Sequence, residues 1–315
     1  CAVTVGGVCG GKFVGQNRRF QCNGAANQVT LGAMDKFFIL FQNIVPQHLL
    51  SRCTGFLAEL RHPVWLKNGL IRQFIQAFAV DMSEAAEPDY TRYACFNEFF
   101  TRPLLEGARP LAKADILCPA DGAISQLGAI SSGMLLQAKG RQFSTEDLLG
   151  GDKVRAAQFN GGQFATVYLS PKDYHRVHMP VAGRLTATRY IPGQLFSVNG
   201  VTAENVDRLF ARNERLVCHF ETEFGPMAMI LVGAMVVAGI ETVWSGRVAP
   251  PSKGPVSVDY VHLPAPVELA QGDEMGRFML GSTVILLFPR DVMSFGEHYE
   301  AGTLTRMGES LGSRQ

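Results

Sequence analysis

The sequence predicts an α+β protein, with a mostly antiparallel β sandwich or barrel as its core and an N-terminal group of amphipathic helices. Three observations lead there. From Arg109 onward, short apolar segments alternate with Gly and Pro, as in strands joined by turns. Before that, residues 34–80 repeat their apolar positions at helical spacing. The strongest strand signal, Val284-Ile285-Leu286-Leu287-Phe288, is an unbroken apolar run near the C-terminus, as a strand buried on both faces requires. It is preceded by the small, polar step Gly281-Ser282-Thr283.

Bulk properties narrow the class. A chain of 315 residues, 47% apolar and 18% charged, can bury a sizeable core as one large domain or two. A net charge of +1 without a basic block excludes nucleic acid as the main partner. The seven cysteines are scattered singly, which suits free thiols in a reducing compartment. The longest apolar run, Met227 to Ile240, is broken by Gly233 and Gly239 and is too short to span a bilayer, so no transmembrane helix is expected.

Taken in order, residues 1–33 are rich in Gly, Asn, Gln and Cys and lack both an apolar period and a signal-peptide core. Gly6 to Lys12 resembles a phosphate loop only superficially, because Phe13 stands where Ser or Thr must hold magnesium. This stretch reads as a disordered, non-native extension, with Met34 as the expected start.

Phe37, Phe38, Leu40, Phe41, Ile44 and Val45 predict a first helix ending near Pro46. Leu49, Leu50, Phe56, Leu57 and Leu60 predict a second, and Trp65, Leu66, Leu70, Ile71, Phe74, Ile75 and Phe78 a third. Lys36, Arg52, Arg61, Lys67 and Arg72 are interleaved with them. The combination fits a monotopic membrane anchor and fits equally well a set of helices packed on the core. Residues 34–107 are read as this helical region and 108–315 as the β-rich domain.

Phe96 to Arg102 predicts a short helix or turn ending before Pro103, with Asn97, Glu98 and Arg102 as caps and ion pairs. Strands are expected at Phe164–Leu169, Gly183–Ile191, Arg215–Phe220, Met227–Val237 and Thr242–Val248.

Four places could carry chemistry. Asp121-Gly122 is either a plain turn or a carboxylate that orients a histidine. Tyr174-His175-Arg176-Val177-His178 concentrates two of the seven histidines. They could be loop residues, satisfied core imidazoles or half a metal site, but no further ligands cluster nearby, and a general base suits the pattern better. Arg212 or Arg215 could meet a phosphate or carboxylate, or make a surface ion pair. The Gly281-Ser282 step could undergo an N→O acyl shift, because Gly281 lets the next hydroxyl approach its carbonyl carbon.

Nine segments in unbroken order resemble the bacterial phosphatidylserine decarboxylases. They are Phe96–Leu104 (FNEFFTRPL), Pro119–Gly128 (PADGAISQLG), Leu136–Gly140 (LQAKG), Leu169–Pro180 (LSPKDYHRVHMP), Pro192–Val198 (PGQLFSV), Leu209–Glu214 (LFARNE), Thr222–Gly233 (TEFGPMAMILVG), Ile240–Gly246 (IETVWSG) and Met275–Val284 (MGRFMLGSTV). The resemblance covers the chain from about Met34 almost to its end; residues 1–33 match nothing in it.

The resemblance implies a pyruvoyl-dependent decarboxylase that converts phosphatidylserine to phosphatidylethanolamine and carbon dioxide. It implies that Asp121 and His178 activate Ser282, and that the chain cleaves itself between Gly281 and Ser282. The products would be a β chain ending at 281 and an α chain of residues 282–315. Ser282 becomes the pyruvoyl cofactor, whose ketone takes the substrate amine as a Schiff base, and His175 serves decarboxylation or substrate positioning. No metal is implied.

The chemistry accounts for the residue types. Removing carbon dioxide from an α-amino acid needs an electron sink that no ordinary side chain supplies. The lipid substrate also favours membrane contact through residues 34–80, on the cytoplasmic face of a bacterial cell membrane, since extracting acyl chains into water costs about 0.8 kcal/mol per methylene. A homodimer of cleaved protomers is expected. The rival readings are a pyruvoyl enzyme for a soluble amino acid and a non-catalytic lipid-binding β domain. A serine hydrolase would need a Gly-x-Ser-x-Gly elbow, which Ser282 lacks.

Overall fold

The computed structural model describes residues 47–234, 239–248, 254–279 and 282–315. The expectations for residues 1–33, for the helix at Phe37 to Val45 and for Gly281 lie outside that range.

The apolar run near the C-terminus is the strand Ser282–Phe288, inside a nine-stranded sheet. It pairs antiparallel with Gln163–Leu169 on one edge and Gly225–Gly233 on the other. Its inward positions serve two cores. Val284, Leu286 and Phe288 join one apolar cluster and Ile285 and Leu287 the other, all fully buried. A strand covered on both faces has no solvent side, which is why its sequence is continuous rather than alternating.

Outward from this strand, Gly225–Gly233 leads to Arg215–Thr222, Gly183–Ile191 and Val256–Asp259. On the other side, Gln163–Leu169 leads to Gly122–Ala129 and Leu304–Thr305. One face packs against a four-stranded sheet (Gly246–Val248, Ile240–Thr242, Glu274–Phe278, Arg176–His178) and a three-stranded one, with Val177, Ile240, Met275, Phe278 and Leu311 in the shared core. The other face is covered by the hairpin Met134–Ala138/Arg141–Ser144 and short helices, through residues such as Leu135, Phe143 and Phe210. The named β ladders are antiparallel throughout, and the layered, β-rich α+β architecture is the expected one.

Two expected strands are corrected. Thr242–Val248 is a tight hairpin, Ile240–Thr242 against Gly246–Val248, turned by Gly246 at φ +67°. Gly supplies this left-handed conformation without a Cβ clash, and Thr242 and Ser245 hydroxyls meet across the turn at 2.7 Å. The strand expected at Met227–Val237 runs over Gly225–Gly233.

Two of the expected helices occupy Gln47–Ala58 and Val64–Phe78. Ile71, with Phe74 beside it, packs on Tyr93, Phe99 and Phe100, forming a third core. The outer surface is unusually apolar: Phe56 is 73% and Trp65 74% exposed. Leu57, Leu70, Phe74, Phe78 and Phe96 line an apolar groove of about 360 Å³. Among the described residues, no helix is long and apolar enough to cross a membrane.

Candidate active site

The Gly281-Ser282 step falls where the chain leaves one sheet and enters another. Glu274–Phe278 belongs to the four-stranded sheet, paired with Ile240–Thr242 and Arg176–His178. At Ser282 the chain is already in the nine-stranded sheet, opposite Leu169 and Gly233. The backbone of Ser282 is therefore held in register from both sides; its side chain lies outside the described atoms.

Asp121 follows Leu117 to Pro119, a segment tied to the histidine strand: Leu117 N–H donates to Pro180 O, and His178 N–H donates to Pro119 O at 2.8 Å. Its carboxylate is buried. Arg109 donates to it from Nε (3.0 and 3.1 Å) and from Nη2, and Met307 N–H donates at 2.8 Å. Arg109 also reaches Glu84, which Arg306 grips in turn. The close approach behind Asp121 depends on Gly122, where a Cβ would stand 2.2 Å from Tyr168 O.

His178 is buried beside Asp121's segment, but its ring contacts are different ones. Nδ1 lies 2.8 Å from Gly272 O and Nε2 lies 3.1 Å from the Tyr174 hydroxyl. A carbonyl can only accept, so Nδ1 carries the proton and Nε2 accepts from Tyr174. Burial is the main influence that pushes the His178 pKa below the ordinary histidine value, which favours this neutral form. Asp121 and His178 are thus neighbours without a direct hydrogen bond; Arg109 occupies the carboxylate instead.

His175 is fully buried, stacked on Phe100 with ring centroids 3.9 Å apart. Nε2 faces Pro171 O at 3.4 Å, while Nδ1 has no partner. Burial, with nearby Arg102 assisting, pushes its pKa down to about 3, so the ring is neutral at physiological pH. Its carbonyl accepts from Phe278 N–H, tying it to the strand that leads to Gly281.

The phosphate or carboxylate reading of Arg212 and Arg215 is not supported. Arg215 is buried and spends its guanidinium on the carbonyls of Leu148, Asn213 and Asp147. Arg212 bonds Gln194 and lies over the Phe196 ring. The arginine that stands out is Arg102, expected to be a cap or ion-pair residue. It is buried, makes no salt bridge among the described residues, and donates only Nη2–H, to Lys172 O at 3.2 Å. Its place in the segment FNEFFTRPL was the signal in the sequence, and nothing there distinguished it from a surface charge.

Among the described residues no group of three or more His, Cys, Asp and Glu could hold a metal ion. What the arrangement offers is a neutral imidazole, a carboxylate clamped by arginine, and a serine, Ser282, opening a central strand of the nine-stranded sheet. These features belong to an enzyme core. The chain is a member of the phosphatidylserine decarboxylase family: that family's pattern matches residues 96–313, and a second, described as PSD, matches residues 37–79. It is 59% identical over 283 residues to a phosphatidylserine decarboxylase proenzyme of Ectopseudomonas mendocina, covering 89% of this chain and 99% of the relative. Proteins of the same name from Alcanivorax borkumensis (54%; 89% of this chain and 96% of the relative) and Hahella chejuensis (52%; 90% and 95%) are similar over the same extent.

Proposed function

We infer that this chain is a phosphatidylserine decarboxylase, made as a proenzyme, which releases carbon dioxide from phosphatidylserine and leaves phosphatidylethanolamine. The observation that carries the reading is the placement of Ser282 at the sheet-to-sheet crossing, with His175 and His178 on adjoining backbone. The family's relatives, named as proenzymes, support it.

In the maturation we propose, Nε2 of His178 exchanges Tyr174 for the Ser282 hydroxyl and takes its proton. Ser282 Oγ attacks the Gly281 carbonyl carbon, the Gly281–Ser282 peptide bond breaks, and the freed nitrogen collects a proton, leaving an ester. Loss of the Cα proton of residue 282 with departure of the Gly281 carboxylate gives dehydroalanine, and water then displaces ammonia to leave the pyruvoyl group. Asp121 acts from beside the His178 backbone. Its charge, shared with Arg109, stabilises the transient imidazolium.

The surroundings of residue 282 fit such a group. Ser170 Oγ and His175 Nδ1 are buried polar atoms without protein partners, at the start of the loop leaving residue 282's partner strand and just after it. The ketone supplies the electron sink for the departing carboxylate. His175, held neutral, positions substrate by accepting a hydrogen bond at Nδ1 and does not deliver an imidazolium proton.

We also propose that residues 34–80 lie on the cytoplasmic face of a bacterial membrane. Exposed Phe56 and Trp65 and the apolar groove beside Phe74 support this reading. The division into a helical region of residues 34–107 and a β-rich domain of residues 108–315, and a homodimer of cleaved protomers, belong to the same proposal.

Intact-mass analysis of the purified protein, with an assay of carbon dioxide released from phosphatidylserine micelles, tests the function. Two fragments are expected, the smaller starting at residue 282 with a ketone, and Ser282→Ala should remain whole and inactive. Turnover of free serine with indifference to the lipid would point to a soluble-substrate enzyme, and an uncut chain that binds lipid without turnover to a binding domain.

A further inference from the structure

A buried cation without an anion is costly. Arg102 is 3% exposed, and its Nε–H and Nη1–H have no acceptor. Burial pulls its pKa down, but a guanidinium stays charged at any physiological pH. The three nearby carboxylates bond other groups and none bonds Arg102: Asp121 is clamped by Arg109, Asp173 receives Ser170 N–H at 2.7 Å, and Asp81 receives Ser83 N–H at 2.8 Å and its hydroxyl at 2.7 Å. The neighbouring imidazole of His175 is neutral.

Arg102 is not alone in lacking partners. Its one bonded group points to Lys172 O, in the loop Ser170 to Tyr174 that follows the strand Gln163–Leu169. Ser170 Oγ, at the start of that loop, and His175 Nδ1, just after it, are also buried and unpartnered. Leu169, the residue before the loop, is the register partner of Ser282. Unmet donors and acceptors, including a full positive charge, thus gather on the loop beside the reacting position. Each would cost about 1–3 kcal/mol if left unmade, and the charge more. A negatively charged guest removes that cost for the donors on Arg102 and Ser170, while Nδ1 of His175, an acceptor, requires a donor such as the substrate amine.

We propose that Arg102 is the binding residue for the phosphodiester of the substrate, an assignment that rests on the lipid-decarboxylase reading above. Phosphatidylserine has two anions, and the chemistry selects between them. A cation on the carboxylate would stabilise the ground state and lose its partner as carbon dioxide leaves, which raises the barrier. The phosphodiester keeps its charge throughout, so a fixed guanidinium holds it equally in ground and transition states. Such uniform binding sets KM and leaves kcat alone.

The experiment compares wild-type protein with Arg102→Gln and Arg102→Lys, each first shown by intact mass and thermal melting to be cleaved and folded. On phosphatidylserine in detergent micelles, Arg102→Gln should raise KM about ten- to a hundredfold, the size of a lost charge-assisted contact, with kcat held within about threefold. Arg102→Lys, which keeps the charge and loses the planar donors, should fall between. O-decylserine, which has the amine, the carboxylate and an alkyl tail but no phosphate, should show no comparable loss of kcat/KM. A fall in kcat at unchanged KM, equal losses on both substrates, unchanged kinetics, or failure of both variants to accumulate as folded, cleaved protein would each overturn the assignment. Wild-type protein that releases no carbon dioxide from the lipid would instead overturn the function on which the site rests.

Discussion

The hydroxyl of Tyr174 donates to Nε2 of His178 at 3.1 Å, occupying the nitrogen that the proposed proton transfer needs. Gly272 O, 2.8 Å from Nδ1, fixes the tautomer, so the lone pair exists but is already engaged. Tyr174 is therefore a competitor for the base before maturation. Its own proton is held firmly, since burial drives its pKa up to about 12.

Tyr174→Phe removes that competitor. A buried hydrogen bond has a net worth of about 0.5–1.5 kcal/mol, so self-cleavage should run about two- to tenfold faster. A time course of intact mass on freshly synthesised chain reads the rate; slower cleavage would show that the hydroxyl assists the transfer.

Arg109→Met strips the buried carboxylate of Asp121 of its cation. Leaving one member of a buried pair alone costs about 3–5 kcal/mol, so the variant should melt well below wild type. Met307 N–H, still donating at 2.8 Å in the wild-type arrangement, is too little to compensate. Urea denaturation measures the loss, and a midpoint equal to wild type would show that the ion pair contributes nothing.

The proposed cleavage between 281 and 282 should not release the small fragment. Ser282–Phe288 is paired along both edges, and Leu304–Thr305 and Ser310–Arg314 add further ladders, to Gly122–Ala129 and Ile116–Leu117. The two fragments should co-elute in size-exclusion chromatography and part only in denaturant; separation under native conditions would contradict the register.

Acid should weaken the fold through His219 as well as the site histidines. Burial pushes the His219 pKa down to about 4 from an ordinary 6.5, and its Nε2 has no partner. Between those values the unfolded chain binds the proton and the folded one does not, so stability is complete above pH 6.5 and falls as pH drops toward 4. The slope from this group is about 1.4 kcal/mol per pH unit. His219→Gln should flatten the dependence of Tm on pH over that window; an unchanged slope would exclude His219 as its source.

Phe56→Asp with Trp65→Asp should weaken sedimentation with liposomes by about tenfold or more, given about 1.5–3 kcal/mol for each large apolar side chain buried. Unaltered sedimentation would move the membrane contact elsewhere.

The β-rich core was legible because burial writes directly into sequence: the run Val284 to Phe288 could only be a strand covered on both faces. Helix spacing likewise placed Val64–Phe78 closely. The hairpin at Thr242 to Gly246 was missed because its apolar flanks resemble one continuous strand, and the turn depends on the φ of a single glycine. Asp121, His175, His178 and Ser282 could be singled out by residue type and motif, but their partners could not. That Arg109 would claim Asp121, and that Tyr174 would claim His178, depends on side-chain contacts across 12 residues in one case and four in the other. Arg102 was read as a cap or ion-pair residue for a related reason, since a missing counter-ion has no signature in the chain that lacks it.

The position of Ser282 between two partner strands also bears on the working life of the enzyme. A coenzyme that diffuses in can be replaced when it is spoiled. The carbonyl proposed at residue 282 would be knitted into the middle of a sheet and could not be exchanged, and once it was reduced or blocked that molecule would be finished. Catalytic capacity in such a system is replenished only by fresh synthesis, one polypeptide for each reactive group.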